Sequence, residues 1–177
     1  MSYSLQTERL VLRPWAADDV GLLAALSSNP RVTRYIGDGQ TWTALKAITV
    51  SERALTHWRD HGFGWRVILE VATGTEIGMI ALNQMGDGTV GVEPDEYEIG
   101  WWLAPDKWGH GYATEGARAV AADAFSALEA PGLTARIQPD NLASIAVATA
   151  VGMEFAFNTV AQPGVLVAVY RAAKPMG

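Results

Sequence analysis

The chain has 177 residues, 49% of them hydrophobic, and a formal net charge of −6 at pH 7. A chain of this length can bury a full α/β core, and its hydrophobic fraction excludes a disordered protein. Cysteine is absent, which excludes disulfides, thiolate metal sites and thiol catalysis. The acidic charge is opposite to the basic footprint of nucleic-acid binding, and it suits either a soluble acidic protein or one with a cationic partner.

The predicted elements begin without a targeting or membrane segment. Residues 1–7 lack the basic start and apolar run of a signal peptide. No apolar stretch approaches the ~20 residues of a membrane span. We therefore expect a cytoplasmic protein with no membrane or nucleic-acid partner, and the absence of a linker predicts one domain over residues 1–177.

The first half of the chain predicts a strand, three helices and an antiparallel hairpin. Asp18 and Asp19 supply the acceptors and negative charge that favour a helix N-terminus, and Gly62 is a helix stop. Thr73 and Gly74 form the short turn of the hairpin. The elements are predicted over residues 9–15 (strand), 20–26, 30–35 and 43–60 (helices), and 64–71 and 76–83 (strands).

The second half alternates between strand and helix patterns. Tyr97–Leu103 shows little alternation, which predicts a strand buried on both faces. Helices first, then a hairpin, then alternating strands and helices indicate an α/β domain with a mixed sheet. The remaining elements are predicted over residues 112–128 and 142–151 (helices), and 133–138, 153–160 and 165–171 (strands).

The most informative segment is a glycine-containing loop between a strand and a long helix. Gly109 and Gly111 precede the helix, and the small residues Ala113 and Thr114 follow them. The first N–H groups of a helix lack intrahelical partners and carry partial positive charge, and glycine lets an anion approach the backbone. The segment predicts a pyrophosphate site, although an ordinary strand-to-helix turn would also use these glycines.

A second glycine pattern lacks the context that its chemistry needs. Residues 86–91 match G-x-G-x-x-G, but Pro94 and the acidic residues after it lead directly into the next strand. Without a helix N-terminus the phosphates have no site, so we interpret this segment as a flexible loop. The Walker pattern and the G-x-S-x-G nucleophile elbow are both absent.

Four segments stand in a characteristic order and spacing, namely residues 7–14, 98–103, 108–115 and 141–153. Together they resemble the GNAT acetyltransferases, and specifically the RimJ/RimL branch of ribosomal-protein N-terminal acetyltransferases. The resemblance covers nearly the whole chain. It implies the GNAT fold: a mixed, mostly antiparallel twisted sheet in an α/β domain, flanked by helices on both faces.

The resemblance implies that acetyl-CoA is the cosubstrate and that no metal takes part. Gly109 and Gly111 match the glycines of the family's pyrophosphate motif, but Asp106 stands where Gln or Arg is usual. We therefore expect Asp106 to face solvent or cap the turn, and Lys107 to supply charge instead. The resemblance also implies that the strand at Trp101 to Leu103 pairs its backbone with the pantetheine arm, and that neighbouring strands splay there. The implied cofactor-binding residues are Trp101, Trp102, Leu103, Lys107, Trp108, Gly109, His110, Gly111, Tyr112, Ala113, Thr114, Asn141 and Ser144.

Acetyl transfer to an amine needs a proton acceptor for the amine and donors for the thioester oxygen. Glu98 is the candidate base, and pairing with an arginine is its structural alternative. Ser144 is the candidate acid by resemblance, with a solvent-facing helix serine as the alternative. Asn141 is implied to contact the cofactor, and its position also fits an N-cap. No tyrosine aligns with the one that many GNAT enzymes place near the thiol.

The implied reaction is transfer of an acetyl group from acetyl-CoA to a primary amine. The acceptor is expected to be cationic: a protein N-terminus, a polyamine-like metabolite or an aminoglycoside-like molecule. This expectation rests on the acidic net charge and on carboxylates before the site strand, which would attract an ammonium. Those carboxylates are Asp87, Glu93, Asp95, Glu96 and Glu98.

Two other functions remain as alternatives, namely a non-catalytic CoA-binding sensor or scaffold and a nucleotide-binding α/β protein. Association into homodimers is left open. His57 and His61 lie one helical turn apart, but no third zinc ligand is evident, so we expect a solvated helix face. The tryptophans are expected mostly in the core, with Trp42, Trp65 and Trp101 as alternative lining of an acceptor pocket.

Overall fold

A computed structural model describes residues 3–84, 89–161 and 164–175. Asp87 and the start of the glycine pattern over residues 86–91 therefore lie outside the described residues. The helices are α1 (Val20–Ser27), α2 (Pro30–Thr33), α3 (Ala44–His61), α4 (Tyr112–Ser126) and α5 (Leu142–Ala150). The strands are β1 (Leu5–Gln6), β2 (Leu10–Pro14), β3 (Arg66–Glu70), β4 (Glu76–Gln84), β5 (Tyr97–Leu103), β6 (Gly132–Ile137), β7 (Glu154–Val160) and β8 (Leu166–Ala173).

The described strands form one sheet in the order β1-β2-β3-β4-β5-β6-β8-β7. Every neighbouring pair is antiparallel except β5 and β6, which are parallel. That parallel pair joins only Tyr97 with Leu133 and Glu98 with Thr134. Because β5 continues to Leu103 and β6 to Ile137, the two strands separate beyond Glu98. The splay that the resemblance implied is present, and it opens a slot in the middle of the sheet.

Helices cover both faces of this sheet, as the resemblance implied. Val67 of β3 belongs to the apolar cluster that includes α1 and α3, whereas the next residue, Ile68, belongs to the cluster that includes α4 and α5. Met79 and Ile80 of β4 divide in the same way. Since side chains of a strand alternate between faces, the sheet lies between two helical layers with a core on each side.

Local capping fixes the ends of helices α3, α4 and α5. Helix α3 begins after Thr43, whose hydroxyl accepts from the Lys46 amide, and it ends at Gly62 with a φ of +77°. Helix α4 begins after Gly111, whose φ of +80° is a left-handed conformation that glycine adopts at little cost. Asn141 caps α5 by accepting a hydrogen bond from the Ser144 amide. The N-cap role weighed for Asn141 is therefore present.

Strand β5 differs from its expected environment. Its sequence predicted burial on both faces, but Glu98, Gly100, Trp101 and Trp102 are only half-buried. For Gly100, Trp101 and Trp102 the reason is the separation of β5 from β6, which removes the neighbouring strand from one side; Glu98 still pairs with Thr134. A run of apolar residues therefore indicated a central strand correctly but gave no sign of the slot beside it.

The expectation that His57 belongs to a solvated helix face is wrong. Its Nδ1 lies 2.9 Å from the Phe63 carbonyl oxygen, and its Nε2 accepts a hydrogen bond from the Gln84 amide at 3.0 Å. The ring thus joins α3 to the end of β4, and burial lowers the pKa of His57. His61 is exposed and stacks on it with ring centroids 4.4 Å apart.

The described residues contain no group of three or more His, Asp or Glu side chains placed to hold a metal ion. Across the same part of the chain, no helix is both long enough and apolar enough to cross a membrane.

Candidate active site

A cavity of about 720 Å³ occupies the slot between β5 and β6. The loop before α4, the first turns of α4 and α5, and helix α2 complete its walls. Twelve of the residues expected to bind the cofactor line it: Trp101, Trp102, Leu103, Lys107, Trp108, Gly109, Gly111, Tyr112, Ala113, Thr114, Asn141 and Ser144.

Two expected site residues are absent from the cavity wall. His110 is exposed: its carbonyl oxygen accepts a hydrogen bond from Arg9 Nη1 at 3.0 Å, and its ring stacks on Tyr112. Glu98 also lies outside the lining. The structure thus brings together the expected cofactor loop, strand and helix, but leaves His110 on the outer side of the loop.

The loop before α4 presents bare backbone to the cavity. Gly109 and Gly111 both have a φ of +80°. A Cβ built on Gly109 would meet no atom within 4 Å, and one on Gly111 would meet only Arg9 Nη2 at 3.5 Å. The space that side chains would fill is therefore open, directly at a helix N-terminus. Such a place suits an anion, because backbone N–H groups and the helix dipole both face it.

Lys107 is held by Glu70 at the edge of this loop. Its Nζ lies 2.8 Å from Glu70 Oε2, and the Tyr112 hydroxyl donates to the other carboxylate oxygen. Lys107, Tyr112 and Thr73 together lower the pKa of Glu70 to about 2, and Glu70 in turn raises the pKa of Lys107. The positive charge expected from Lys107 is consequently shared with a carboxylate.

Asp106 behaves as the sequence analysis expected. It lies in the short 3₁₀ turn of residues 105–107, is exposed, and does not line the cavity. Its carboxylate therefore does not face an anion bound at the glycine loop, and the departure from the family motif leaves the backbone site intact.

Ser144 and Asn141 lie together at the start of α5. Trp101 Nε1 donates a hydrogen bond to Ser144 Oγ at 3.3 Å, and the Ser144 amide donates to Asn141 Oδ1 at 3.2 Å. Both side chains line the cavity, so Ser144 is not a solvent-facing helix serine. Its hydroxyl hydrogen remains able to donate, because the contact with Trp101 uses the oxygen as acceptor.

Glu98 pairs with Arg136, which was the alternative to a catalytic role. Arg136 Nε lies 2.7 Å from Glu98 Oε1, and Nη2 lies 3.0 Å from Oε2. Arg136 itself lines the cavity and also donates to Thr89 Oγ1 at 2.7 Å. Glu98 occupies the last paired position before β5 and β6 separate, so this residue marks the point of the sheet where the slot begins.

The sequence did not predict that α2 and the residues directly after it contribute to the cavity. Arg31, Arg34 and Tyr35 line the cavity from this side. Their spacing of three residues placed Arg31 and Arg34 on one helical face, but nothing local indicated what that face contacts. By contrast, Trp42 and Trp65 do not line the cavity: Trp42 packs on Trp102, and Trp65 donates to Asn83.

The charge of the slot differs from the acidic surroundings that were expected. Its charged lining residues in the described part of the chain are Arg31, Arg34, Lys107 and Arg136. The acidic segment before β5 is partly neutralised, since Glu96 pairs with Arg171 at 2.5 Å and Glu98 pairs with Arg136.

Comparison with known proteins assigns the chain to a family. A model of the acetyltransferase (GNAT) domain matches residues 9–154. The chain belongs to the GNAT acetyltransferase family. This acetyltransferase is 30% identical over 141 residues to the uncharacterized N-acetyltransferase YoaA of Bacillus subtilis, covering 79% of this chain and 76% of the relative. The family, the fold and an acetyl-CoA-dependent acetyltransferase activity predicted from the sequence are thereby confirmed.

Solved structures carry the same fold as this GNAT acetyltransferase. An acetyltransferase from Agrobacterium tumefaciens superposes with a TM-score of 0.81 at 31% identity, covering 97% of this chain and 95% of the other. The ribosomal L7/L12 alpha-N-protein acetyltransferase RimL, solved in complex with coenzyme A, superposes with a TM-score of 0.78 at 16% identity. That pair covers 97% of this chain and 98% of RimL; at this identity the likeness concerns the fold.

Proposed function

We propose that this acetyltransferase moves the acetyl group of acetyl-CoA, held in the slot between β5 and β6, onto a primary amine. The observation that carries the proposal is the slot itself, which ends in a glycine loop at the N-terminus of α4. Beyond the two paired positions, the backbone of β5 has no partner strand on the β6 side in the part of the chain that the structure describes. It can therefore pair with the amide groups of a pantetheine arm.

Different residues around the slot would bind different parts of the cofactor. The loop from Lys107 to Gly111 and the first turn of α4 would hold the pyrophosphate through backbone N–H groups. Residues 101–103 would hold the pantetheine arm, and Asn141 and Ser144 would contact it from α5. His110 would contribute only its backbone, since its side chain lies outside the cavity.

Two side chains on different faces of the sheet would handle the protons. Glu98 lies on the same face as Trp102, which packs with α1 and α3, whereas Ser144 contacts Trp101 on the side of α4 and α5. The donor supplies a thioester that the amine attacks. Glu98 would accept the amine's proton through water, because it lies outside the cavity wall. Ser144 would donate a proton to the departing thiolate.

The acceptor class follows from less direct observations. The name of RimL describes acetylation of a protein N-terminus, and the net charge of −6 favours cationic partners generally. We therefore propose a primary amine on a protein N-terminus, a polyamine-like metabolite or an aminoglycoside-like molecule. The basic lining of the slot does not oppose this, because a donor carrying phosphates would occupy it first.

The experiment is release of thiol from acetyl-CoA across cationic, neutral and anionic primary amines, each at low and high salt. Transfer to cationic amines should be fastest, and its kcat/KM should fall as salt screens the charges. A faster reaction with neutral or anionic amines at every ionic strength would contradict the acceptor class. Binding of acetyl-CoA without thiol release on any amine would instead indicate a CoA-binding scaffold.

A further inference from the structure

The cationic side chains of the slot differ in whether they form an ion pair with a carboxylate. Lys107 and Arg136 are each held by a glutamate. Arg31 and Arg34 differ from them, because no carboxylate among the described residues lies within ion-pair distance of either. Both are nevertheless part of the cavity wall. Two arginines that face a cavity without a protein anion are available to a bound anion.

Both arginines are exposed, and each guanidinium group lies over an aromatic ring. The Arg31 guanidinium carbon lies 5.0 Å from the centre of the Trp108 ring, and that of Arg34 lies 5.1 Å from the centre of the Tyr35 ring. Trp108 is itself fixed, since its Nε1 donates to the Leu103 carbonyl oxygen at 2.9 Å. A guanidinium that is stacked on an aromatic face keeps its N–H donors at its edges, where they can bind oxygen atoms in pairs.

The two arginines differ in what else they contact. Trp108 directly precedes Gly109, so Arg31 lies beside the loop that presents bare backbone to the cavity. Arg34 also lines a second cavity of about 380 Å³ and is therefore shared between the two spaces. Arg31 is consequently the cation without a carboxylate partner, among the described residues, that stands next to the anion site of α4.

We propose that Arg31 of α2 binds a phosphate group of acetyl-CoA together with the glycine loop, so that the cofactor joins α2 to α4. The inference rests on the proposed function only in requiring that acetyl-CoA occupies the slot. Backbone N–H groups and a helix dipole supply only about half a unit of positive charge, and the Lys107 ammonium is bound to Glu70. Arg31 adds a full charge and a bidentate donor pair at the same place.

The test compares Arg31→Gln with Arg53→Gln, which removes the same charge from an exposed position on α3 away from the slot. Acetyl-CoA affinity is measured by calorimetry, and folding is checked by circular dichroism and thermal melting. Arg31→Gln should weaken acetyl-CoA by about tenfold or more, the scale of a lost hydrogen bond to a charged group. It should also reduce the salt dependence of binding, whereas Arg53→Gln should change neither.

Shortened donors separate a phosphate contact from other effects. S-acetylpantetheine, which has no phosphates, is titrated by NMR, and Arg31→Gln should bind it as the unmodified protein does. Dephospho-acetyl-CoA lacks the 3′-phosphate. If Arg31→Gln binds this donor more weakly than the unmodified protein does, Arg31 contacts the pyrophosphate. If the two proteins bind it equally, Arg31 contacts the 3′-phosphate. Unchanged acetyl-CoA affinity, or an equal loss with S-acetylpantetheine, would overturn the inference.

The outcome is independent of catalysis. A protein that binds acetyl-CoA through Arg31 but acetylates no amine would contradict the proposed function and uphold the inference. A protein that binds no acetyl-CoA would contradict both.

Discussion

Gly111 combines a left-handed backbone with open space at the position of its missing side chain. Gly111→Val should place a branched side chain against the pyrophosphate site and strain the backbone, because a β-branched residue rarely adopts positive φ. Acetyl-CoA affinity should fall by about 1–3 kcal/mol. Calorimetry on a variant shown to be folded measures this. A variant with unchanged affinity would contradict the assignment of the phosphate loop.

A substitution of Glu98 tests whether this residue acts as the catalytic base or only pairs with Arg136. Glu98→Gln keeps the shape of the side chain but removes the proton acceptor, so turnover should fall by about 10²–10⁴-fold. Acetyl-CoA affinity should stay within a few-fold, since Glu98 lies outside the cavity lining. Steady-state rates across pH provide the measurement. An unaltered rate and pH profile would show that the proton leaves by another route and that Glu98 serves to hold Arg136.

Whether the role of a site residue could be predicted depends on how close in sequence its structural signal lies. Gly109, Gly111 and Asn141 were predictable, because each marks a helix start within a few residues of sequence. The partner of Glu98 was not, since Arg136 follows it by 38 residues and meets it only once β5 and β6 are known to be neighbours. The role of Arg31 depends in the same way on where α2 packs.

At the scale of elements, His57 fastens helix α3 to the end of β4. The neutral ring serves both contacts, because Nδ1 can donate to the Phe63 carbonyl while Nε2 accepts from the Gln84 amide. Burial lowers the pKa of His57 in the folded state. The unfolded chain therefore binds the proton more tightly, and the stability from this group, fully present above about pH 6.5, is lost as pH falls toward the folded pKa.

We expect His57→Gln to remove part of this pH dependence. The free energy of unfolding, measured in urea at pH 7.5 and 5.5, should fall less between the two values than in the unmodified protein. His110→Gln is the matched control, because His110 is exposed on the loop before α4. An equal fall in the unmodified protein and in His57→Gln would show that the pH dependence arises elsewhere.

Element boundaries were predicted closely where a physical signal marks them. Gly62 ends α3, Thr73 and Gly74 turn the hairpin, and Tyr97–Leu103 forms the strand as expected. Strand β1 was not predicted, because Leu5–Gln6 is too short to show a period. The buried charge of Arg66 was also unforeseen: the Tyr3 carbonyl and Asp123 hold it through contacts distant in sequence.

At the scale of the whole molecule, we propose that residues 1–177 form a single domain, since the two apolar clusters share strands of one sheet. Acetyl-CoA should raise the free energy of unfolding, by about 2.7 kcal/mol at a concentration of one hundred times its Kd. Thermal melting at several ligand concentrations measures this, with one transition expected at each. Two resolved transitions would contradict the single domain.

The short pairing of β5 with β6 has a consequence for the cohesion of the sheet. Among the described residues, two residue pairs join the five-stranded part, β1 to β5, to the three-stranded part, β6 to β8. Few backbone hydrogen bonds join the two parts at this seam, and they also meet through the apolar cluster that contains residues of β4, β6 and α4. A pantetheine arm lying along β5 would pair with its free backbone groups as an additional strand does. The bound donor would therefore help to hold the two parts of the sheet together for as long as it stays bound.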